Sequence, residues 1–320
     1  MKKVLITGLT GFAGSYLAEY LVAKKEYEVW GTYLFDDSLA NVAAIKDKIN
    51  LIKIDLSKEE NVFKLVKDTS PLLIFHLAAL TSPSNSFNNP TETLTNNISL
   101  QVNILEAVRK NNNLLDTKIL VVSSADIYGL VKKENLPINE QTPLMPTSPY
   151  SVSKIAQDFL GLTYFLSYKL RIVRVRPFNH IGPRQSPQFV VSSFAKQIAE
   201  IEKGKRKPIL KVGNLEAKRD FTDVKDMVRA YAVVMEKGKI GDVYNIGSGT
   251  SYKISDILNK LVFMSSSKIK IEEKRGLLRP SDNPELICDS TKFVKLTGWK
   301  PEIPIAETLK DTLDYWRNII

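Results

Sequence analysis

The sequence predicts an α/β fold in which a doubly wound parallel sheet is followed by a smaller C-terminal α/β domain. In the N-terminal half, short runs that are apolar throughout alternate with stretches of helical spacing. Strands of that kind are buried on both faces, which is typical of a parallel sheet covered by helices. After Pro177 this alternation fades, and Pro, Lys and Gly become frequent. The composition, 43% hydrophobic and 25% charged over 320 residues, is that of an ordinary globular protein.

Individual elements follow from the same pattern. Apolar runs predict strands at residues 3–7, 27–34, 50–56, 72–79, 118–123, 170–176 and 242–247. Amphipathic spacing predicts helices at residues 15–24, 58–68, 91–110, from 150 onward and at 305–317. We place one domain at residues 1–178 plus about 220–248, and a second at about 179–219 plus 249–320.

Histidine and cysteine are too scarce for several kinds of site. The chain has two histidines, His76 and His180, and one cysteine, Cys288. We therefore expect no His/Cys metal site and no histidine-based catalytic triad. Acid/base chemistry must then come from Tyr, Lys, Asp or Glu. A single cysteine also forms no intramolecular disulfide, which fits a cytoplasmic location.

The net charge of +10 raises the question of an acidic partner. The basic residues are mostly lysines scattered among Glu and Asp, and the densest cluster is at residues 203–207. No arginine-rich tail, zinc spacing or RNP-type motif accompanies it, and no apolar run reaches membrane-spanning length. We therefore expect no nucleic acid and no membrane partner, whereas an anionic small substrate fits.

The pair Tyr150 and Lys154 is the most informative feature. Residues four apart on a helix share a face, and Ser148 followed by Pro149 is a good helix start. A lysine ammonium held beside a phenol favours the phenolate, so we expect the pKa of Tyr150 to be lowered. The pair would then act as an acid/base group that needs no histidine.

A glycine-rich turn follows the first predicted strand and opens the first predicted helix. It reads Gly8, Leu9, Thr10, Gly11, Phe12, Ala13, Gly14. Glycines at this spacing allow a tight turn and a close approach of the backbone to a pyrophosphate, while the helix N-terminus supplies N–H groups. The motif predicts a dinucleotide site.

The ends of the next strands should complete that site. Tyr33 takes the position where an acidic residue usually selects NAD and an arginine NADP. Asp36 and Asp37 follow it, and no basic residue is obvious for a 2′-phosphate, so NAD is slightly favoured and NADP stays open. We expect the adenine end near Asp55 and Leu56, and the nicotinamide side at Leu77, Ala78 and Ala79.

Together these motifs resemble the extended short-chain dehydrogenase/reductase family. Besides the glycine motif and the Tyr150/Lys154 pair, the resemblance includes the segments at 76–79, 105–107 and 123–129, and Asn97. It implies that Tyr150 exchanges a proton with a substrate oxygen and that Ser124 hydrogen-bonds the same oxygen. It further implies that Lys154 holds the nicotinamide ribose of NAD(P)H, and it places Asn97 in the cofactor site.

Within that family, the C-terminal half resembles the members that act on GDP-mannose derivatives. Segments 176–185, 213–223, 278–282 and 312–317 are similar to those of GDP-4-keto-6-deoxy-D-mannose reductases. The resemblance implies a GDP-sugar substrate bound in the second domain. An arginine fork suits a diphosphate. The candidate substrate contacts are Asn179, Lys196, Arg219, Arg279 and Asp282, together with Asp126 beside the catalytic hydroxyl.

The reaction itself has alternatives. Related 4,6-dehydratases carry a Glu where this chain has Asp126, and a base misplaced by about 1 Å can lose roughly 10²-fold in rate. We therefore expect a reductase that converts GDP-4-keto-6-deoxy-mannose to GDP-D-rhamnose. A GDP-mannose 4,6-dehydratase or another nucleotide-sugar dehydratase or epimerase is the first alternative. A non-catalytic dinucleotide- or RNA-binding relative is the second. Family resemblance also implies a homodimer paired through the helices around residues 97–110 and 150–166.

Overall fold

A computed structural model describes residues 1–274, 276 and 283–320 of the chain. The strands are β1 (Lys2–Thr7), β2 (Tyr27–Tyr33), β3 (Asn50–Lys53), β4 (Leu73–His76), β5 (Lys118–Val122), β6 (Arg171–Pro177), β7 (Asn179–Ile181), β8 (Ile209–Val212), β9 (Lys218–Asp223), β10 (Val243–Ile246), β11 (Ser251–Lys253), β12 (Lys270–Glu273) and β13 (Glu285–Leu286). The helices are α1 (Phe12–Ala23), α2 (Glu59–Thr69), α3 (Pro83–Asn88), α4 (Pro90–Arg109), α5 (Pro149–Tyr168), α6 (Val190–Glu202), α7 (Val224–Lys237), α8 (Ile254–Phe263), α9 (Thr291–Thr297) and α10 (Ile305–Ile319).

Seven strands form one sheet in the order β10-β6-β5-β4-β1-β2-β3. Every neighbouring pair in it is parallel. These are the seven strands that the apolar runs predict, so the predicted doubly wound parallel sheet is confirmed. The carboxyl ends of β1, β4 and β5 lie side by side, because Thr7 pairs with His76 and His76 with Val121. Ligands of such sheets bind at this edge.

Helices cover both faces of the large sheet. Side chains of α1 and α7 form one apolar core with one face of the sheet. Side chains of α2 and α4 form the core of the other face, and α5 packs beside α4. Most strands of this sheet are therefore largely buried on both sides, which explains their predominantly apolar residues, whereas the edge strand β3 is only partly buried.

The C-terminal part adds two smaller sheets. One contains β7, β9, β11 and β13, and the other pairs β8 with β12. Helices α6, α8 and α10 share a separate apolar core with them. The amphipathic helix α6 and the three-ten turns at Asp36–Lys48 were not expected from the sequence. The division into two domains at the boundaries given above stays a prediction.

A buried ion network fixes helix α5 against strand β6. The carboxylate of Asp158, which is 0% exposed, accepts from Arg174 at 2.5 Å and from Arg176 at 2.7 Å. Arg176 also donates to the hydroxyl of Tyr128 at 2.9 Å. Removing one partner of a buried ion pair typically costs roughly 3–5 kcal/mol, since the other charge is left uncompensated. This network therefore holds the helix that carries Tyr150 and Lys154 in place over the sheet.

Among the described residues, no helix combines the length and the apolar character needed to cross a membrane.

Candidate active site

Helix α5 begins where the sequence predicts and presents Tyr150 and Lys154 one turn apart. The Ser148 hydroxyl accepts from the backbone N–H of Ser151 at 3.1 Å, and the Ser151 hydroxyl accepts from that of Ser148 at 2.9 Å. This reciprocal capping box, with Pro149 in the first turn, fixes the helix start. Tyr150 and Lys154 are 7% and 5% exposed. Both functional groups therefore lie inside the protein rather than on a solvated helix face.

The ammonium of Lys154 is held by two neutral oxygens. It donates to the carbonyl oxygen of Val122, at the end of β5, at 2.8 Å and to Oε1 of Gln157 at 2.7 Å. Because burial disfavours the charged form, the pKa of Lys154 is lowered to about 7. The lysine is consequently close to its titration point at neutral pH.

The phenol of Tyr150 differs from the expectation. Burial raises its pKa above the ordinary value, the charge of Asp126 raises it further, and a hydrogen bond with Ser124 lowers it. The predicted lowering of this pKa by Lys154 is therefore wrong. Desolvation is the largest cause of the shift, and the lysine ammonium is directed to Val122 and Gln157 instead of the phenol.

The serine and the acid lie together on the turn that follows β5. Ser124 caps this turn, since its hydroxyl accepts from the backbone N–H of Asp126 at 3.1 Å. Both residues act on the phenol of Tyr150. The structure thus brings Ser124, Asp126, Tyr150 and Lys154 to one place at the carboxyl end of the sheet.

The glycine-rich turn forms a tight cradle at the same edge. Gly8 has φ +68°, and a Cβ built there would lie 3.0 Å from the Cα of Ala78. A Cβ on Gly14 would lie 2.3 Å from the carbonyl oxygen of Gly8. Gly11 closes the turn, donating its N–H to that oxygen at 3.0 Å. Such a cradle at the N-terminus of α1 fits the pyrophosphate of a dinucleotide.

Thr10 and Phe12 of this turn contact other parts of the protein. The Thr10 hydroxyl lies 2.6 Å from that of Ser38, and the Asn41 amide donates to the Thr10 carbonyl oxygen at 2.9 Å. The ring of Phe12 stacks on His180, with centroids 5.7 Å apart and planes 5° apart. These contacts tie the turn to the segment after β2 and to β7.

A basic residue does lie at the end of β2, contrary to the sequence-based expectation. Register pairs Tyr33 of β2 with Lys53 of β3. The Lys53 ammonium contacts the Asp36 carboxylate at 2.5 Å, and these side chains are 54% and 61% exposed. Asp55 and Leu56 follow β3. Hydrogen bonds from the Ser57 side chain and from the Ser57 N–H, the latter at 2.9 Å, lower the pKa of the Asp55 carboxylate. The sequence separation of twenty residues between Tyr33 and Lys53 concealed this proximity.

On the predicted nicotinamide side, the backbone after β4 turns back toward β1. The N–H groups of Leu77 and Ala78 both donate to the hydroxyl of Thr7 at 3.1 Å. Asn97 does not project freely here. Its Oδ1 accepts from the Leu80 N–H at 2.7 Å, and its Nδ2 donates to the Leu80 carbonyl and to Ser153 Oγ at 3.0 and 2.9 Å. Asn97 thus fixes the segment that contains Ala79.

The candidate substrate residues are more dispersed. Asn179 begins β7 and pairs with Phe221. The Arg219 guanidinium donates to the carbonyl oxygens of Lys218 at 2.8 Å and Asn283 at 2.7 Å. Lys196 lies over the Trp316 ring, 5.4 Å from its centroid, and 3.8 Å from Glu200. Arg279 and Asp282 lie outside the described residues. The assigned substrate roles stay predictions.

Comparison with known proteins assigns the family. The family model described as GDP-mannose 4,6 dehydratase matches residues 5–312. The chain belongs to this family. The GDP-6-deoxy-D-mannose reductase of Pseudomonas aeruginosa is 32% identical over 99% of this chain and 98% of its own. A GDP-mannose 4,6-dehydratase of Yersinia enterocolitica is 29% identical over 96% and 91%. The resemblance to the extended short-chain dehydrogenase/reductases is thereby confirmed.

Solved structures of members and relatives of this family share the fold. The structure of RMD from Pseudomonas aeruginosa complexed with NADPH has a TM-score of 0.85 and 30% identity, covering 100% of both chains. The Thermus thermophilus UDP-glucose 4-epimerase complexed with NAD has a TM-score of 0.85 and 26% identity, covering 99% and 100%. Both NADPH and NAD are therefore found on this fold, and the similarity alone does not choose between them for this dehydratase-family chain.

We expect Gly8→Ala to weaken the binding of NADH and NADPH by about tenfold or more, because the new Cβ would meet the Ala78 backbone inside the cradle. The measurement is a fluorescence titration of the reduced cofactors.

Gly204→Ala is the matched control for this change. Gly204 has nearly the same positive φ, +69°, and nothing lies within 4 Å of its Cβ position. Both alanines carry a similar backbone penalty of about 1 kcal/mol, so only the site distinguishes them. Equal affinities of the two variants would contradict the assignment of the cradle.

Proposed function

We propose that this member of the dehydratase family reduces the C4 ketone of a GDP-4-keto-6-deoxy-mannose-type nucleotide sugar with NAD(P)H and gives GDP-D-rhamnose. The observation that carries the proposal is the pair of buried residues Tyr150 and Lys154, with the half-buried Ser124, beside the glycine cradle, where Tyr150 is protonated at neutral pH. The identity to a GDP-6-deoxy-D-mannose reductase supports the substrate class.

Each residue of the site has a distinct role in the proposed reaction. When bound, reduced nicotinamide would supply the hydride that reduces the ketone carbon. Tyr150 donates its phenolic proton to the ketone oxygen as that oxygen gains electrons, so carbonyl and hydride become a secondary alcohol. The Ser124 hydroxyl donates a hydrogen bond to the same oxygen. The Lys154 ammonium stabilises the phenolate that Tyr150 leaves behind. Tyr150 begins the reaction as the protonated phenol, which is the form that can donate the proton.

A 4,6-dehydratase is the alternative, supported by the family model and the dehydratase relatives. Dehydration needs a base that removes the proton at C5. Asp126 is the acidic residue beside Ser124 and Tyr150, and its side chain is one methylene shorter than that of Glu. We favour the reductase because its chemistry needs no such base.

The deciding experiment supplies the 4-keto product of a GDP-mannose dehydratase together with NADH or NADPH. Stoichiometric loss of reduced nicotinamide and formation of GDP-D-rhamnose are expected. Turnover of GDP-mannose without any added cofactor would instead support the dehydratase. Absence of turnover together with salt-sensitive RNA binding would support a non-catalytic relative.

In this assay Tyr150→Phe should lower kcat by about 10²- to 10⁴-fold, because the proton donor is lost. Its affinity for NAD(P)H should stay within about threefold of the wild type, because the ring and its packing remain. Unchanged turnover of Tyr150→Phe would refute the catalytic role. Tyr244→Phe removes another buried phenol, one in β10 whose hydroxyl donates to Asp242 at 3.3 Å, and should keep most of the activity.

We infer that both coenzymes are accepted and that Lys53 and Asp36 read the ribose. The pair is solvent-exposed, and exposed ion pairs are worth only about 0–1 kcal/mol. It can therefore open at little cost. Asp36 would then accept from the 2′-hydroxyl of NADH, or Lys53 would pair with the 2′-phosphate of NADPH.

Lys53→Met should therefore raise the Kd for NADPH by about tenfold and change that for NADH by less than about twofold, since a charge-assisted contact to phosphate is lost. Calorimetric titration of both cofactors measures this. Lys48→Met, at the far end of the segment that follows β2, removes the same charge and should alter neither Kd. An equal loss for both cofactors in Lys53→Met would contradict the assignment.

We further propose that the protein forms a homodimer through α4 and α5. Helix α5 carries an exposed apolar stripe with a seven-residue spacing: Val152, Phe159 and Leu166 are 44%, 45% and 56% exposed. Residues seven apart lie on the same helix face, so the stripe is continuous along α5. A second copy with the same stripe would cover it in a symmetric pair.

Phe159→Asp should convert this dimer to a monomer, because it places a charge in the centre of the stripe. Light scattering coupled to size-exclusion chromatography gives the mass. Phe263→Asp makes the same change at a residue that is 90% exposed at the end of α8, and it should stay dimeric. If Phe159→Asp keeps the mass of the wild type, the interface lies elsewhere.

Two coarser points complete the proposal. We place the cofactor in residues 1–178 plus about 220–248 and the sugar nucleotide in about 179–219 plus 249–320; the separate apolar cores of the large sheet and of α6, α8 and α10 support this. We also assign the protein to the cytoplasm, which its single, buried cysteine supports.

A further inference from the structure

A buried layer of amide side chains lies beneath the Lys154 ammonium, between α4 and α5. Gln157 donates from Nε2 to the carbonyl oxygen of Asn97 at 2.8 Å and accepts from Lys154 at 2.7 Å. Gln101 donates from Nε2 to the Gln157 carbonyl oxygen at 2.6 Å. Gln157 and Gln101 are each 1% exposed. Lysine, glutamine and the backbone of α4 therefore form one connected network away from solvent.

Chemistry fixes the orientation of the Gln157 amide. The Lys154 ammonium can only donate, and the Asn97 carbonyl oxygen can only accept. The oxygen of the Gln157 amide must therefore face the lysine, and its nitrogen must face α4. Turning the amide over would leave a buried donor against the ammonium and a buried acceptor against the carbonyl, each at a substantial penalty. Gln157 consequently presents a fixed negative dipole end to Lys154.

The donors of Lys154 can be counted. Within the described part of the chain, the Val122 carbonyl and Gln157 Oε1 take two of its three N–H groups. The remaining N–H is available for the ribose or the phenolate of the proposed mechanism. Gln157 and Val122 together therefore fix the position of the ammonium and the direction of its third N–H.

The titratable groups near Lys154 that the structure describes do not hydrogen-bond its ammonium, which is stabilised by the oxygens of Val122 and Gln157. His76 faces it from β4, and burial followed by the charge of Lys154 lowers the pKa of His76 to about 3, so this ring is neutral at ordinary pH. Tyr150 is on the same helix, and Asp126 faces Tyr150 from the turn after β5. Helix α4 contributes amides only, from Asn97 and Gln101.

We propose that Gln157 is a positioning residue that holds Lys154 in its charged form. It thereby sets the upper limit of the pH range in which the enzyme catalyses the reaction through Tyr150. A hydrogen bond accepted from the charged form favours that form, whereas burial opposes it. Because burial brings the pKa of Lys154 to about 7, a small change in this one contact changes the charge at neutral pH. The inference rests on the proposed roles of Tyr150 and Lys154.

The direct test is the titration of Lys154 in the cofactor-free protein. Lysine labelled with ¹³C and ¹⁵N gives side-chain NMR signals, and Lys154→Met assigns the one required. Gln157→Met, which keeps the length but removes the acceptor, should lower the pKa of Lys154 by about 1. Gln157→Glu places a carboxylate in the same position and should raise this pKa by about 1 or more.

Gln101→Met is the matched control, because it removes an equally buried amide from the same layer without touching Lys154. It should leave the titration within about 0.3 of the wild type. A pKa of Lys154 that is unchanged in Gln157→Met, or that moves equally in Gln101→Met, would overturn the proposal. Gln157→Glu and Gln157→Met both lose the donor to the Asn97 carbonyl oxygen, but only Gln157→Glu keeps an acceptor for Lys154. Opposite pKa shifts in the two variants therefore isolate the effect of the acceptor on Lys154.

Turnover supplies a second measurement. The alkaline limb of kcat should move to lower pH in Gln157→Met and to higher pH in Gln157→Glu, by the same amounts as the NMR titration. At pH 8 this corresponds to about a tenfold loss for Gln157→Met, which falls to about twofold at pH 6 and disappears toward pH 5 as Lys154 regains its proton. A pH-independent loss would mean a purely structural role. Absence of turnover in the wild-type protein would refute the proposed function, while the NMR titration would still decide the role of Gln157.

Discussion

The burial of one positive charge governs the arrangement of this site. Lys154 is 5% exposed at the end of a seven-stranded sheet, where an unpaired ammonium would be strongly disfavoured. The protein meets this constraint with the carbonyl of Val122 and the amide of Gln157 rather than with a carboxylate. A carboxylate would raise the pKa of the lysine and neutralise its field, whereas neutral oxygens keep the charge and leave it adjustable.

Several structural features serve to keep that lysine in place. The capping box at Ser148 fixes where α5 begins, and Asp158 anchors the middle of the helix to two arginines of β6. The network from Gln157 to Asn97 joins α5 to α4, and Asn97 in turn holds the segment after β4. The same contacts that satisfy the buried charge therefore place the serine, the phenol and the glycine cradle at one edge of the sheet.

The sequence predicts this fold well because the inner strands of the large sheet are largely buried on both faces, so most of them are predominantly apolar. It also predicts the glycine cradle and the Tyr150/Lys154 pair, since both depend on residues close in sequence. It does not reveal Lys53 beside Tyr33, which depends on strand register. The sequence pattern does not predict α6, because this helix lies in a region rich in Pro, Lys and Gly in which strands and helices no longer alternate clearly. The lysine's partner Gln157 is three residues away on the same helix, a spacing that sequence reasoning could have used.

The predicted direction of the Tyr150 pKa shift was wrong for a more general reason. Sequence spacing gives the distance between a phenol and an ammonium, but it does not give the extent to which each is desolvated or the direction in which the ammonium points. Here burial is the larger effect, and it raises the pKa of the phenol while lowering that of the lysine. A phenol with a raised pKa is fully protonated at neutral pH, as an unshifted phenol also is, but it is a weaker acid until the Lys154 charge stabilises the phenolate. In the proposed reduction, Tyr150 starts as the acid and the Lys154 ammonium stabilises the phenolate that it leaves.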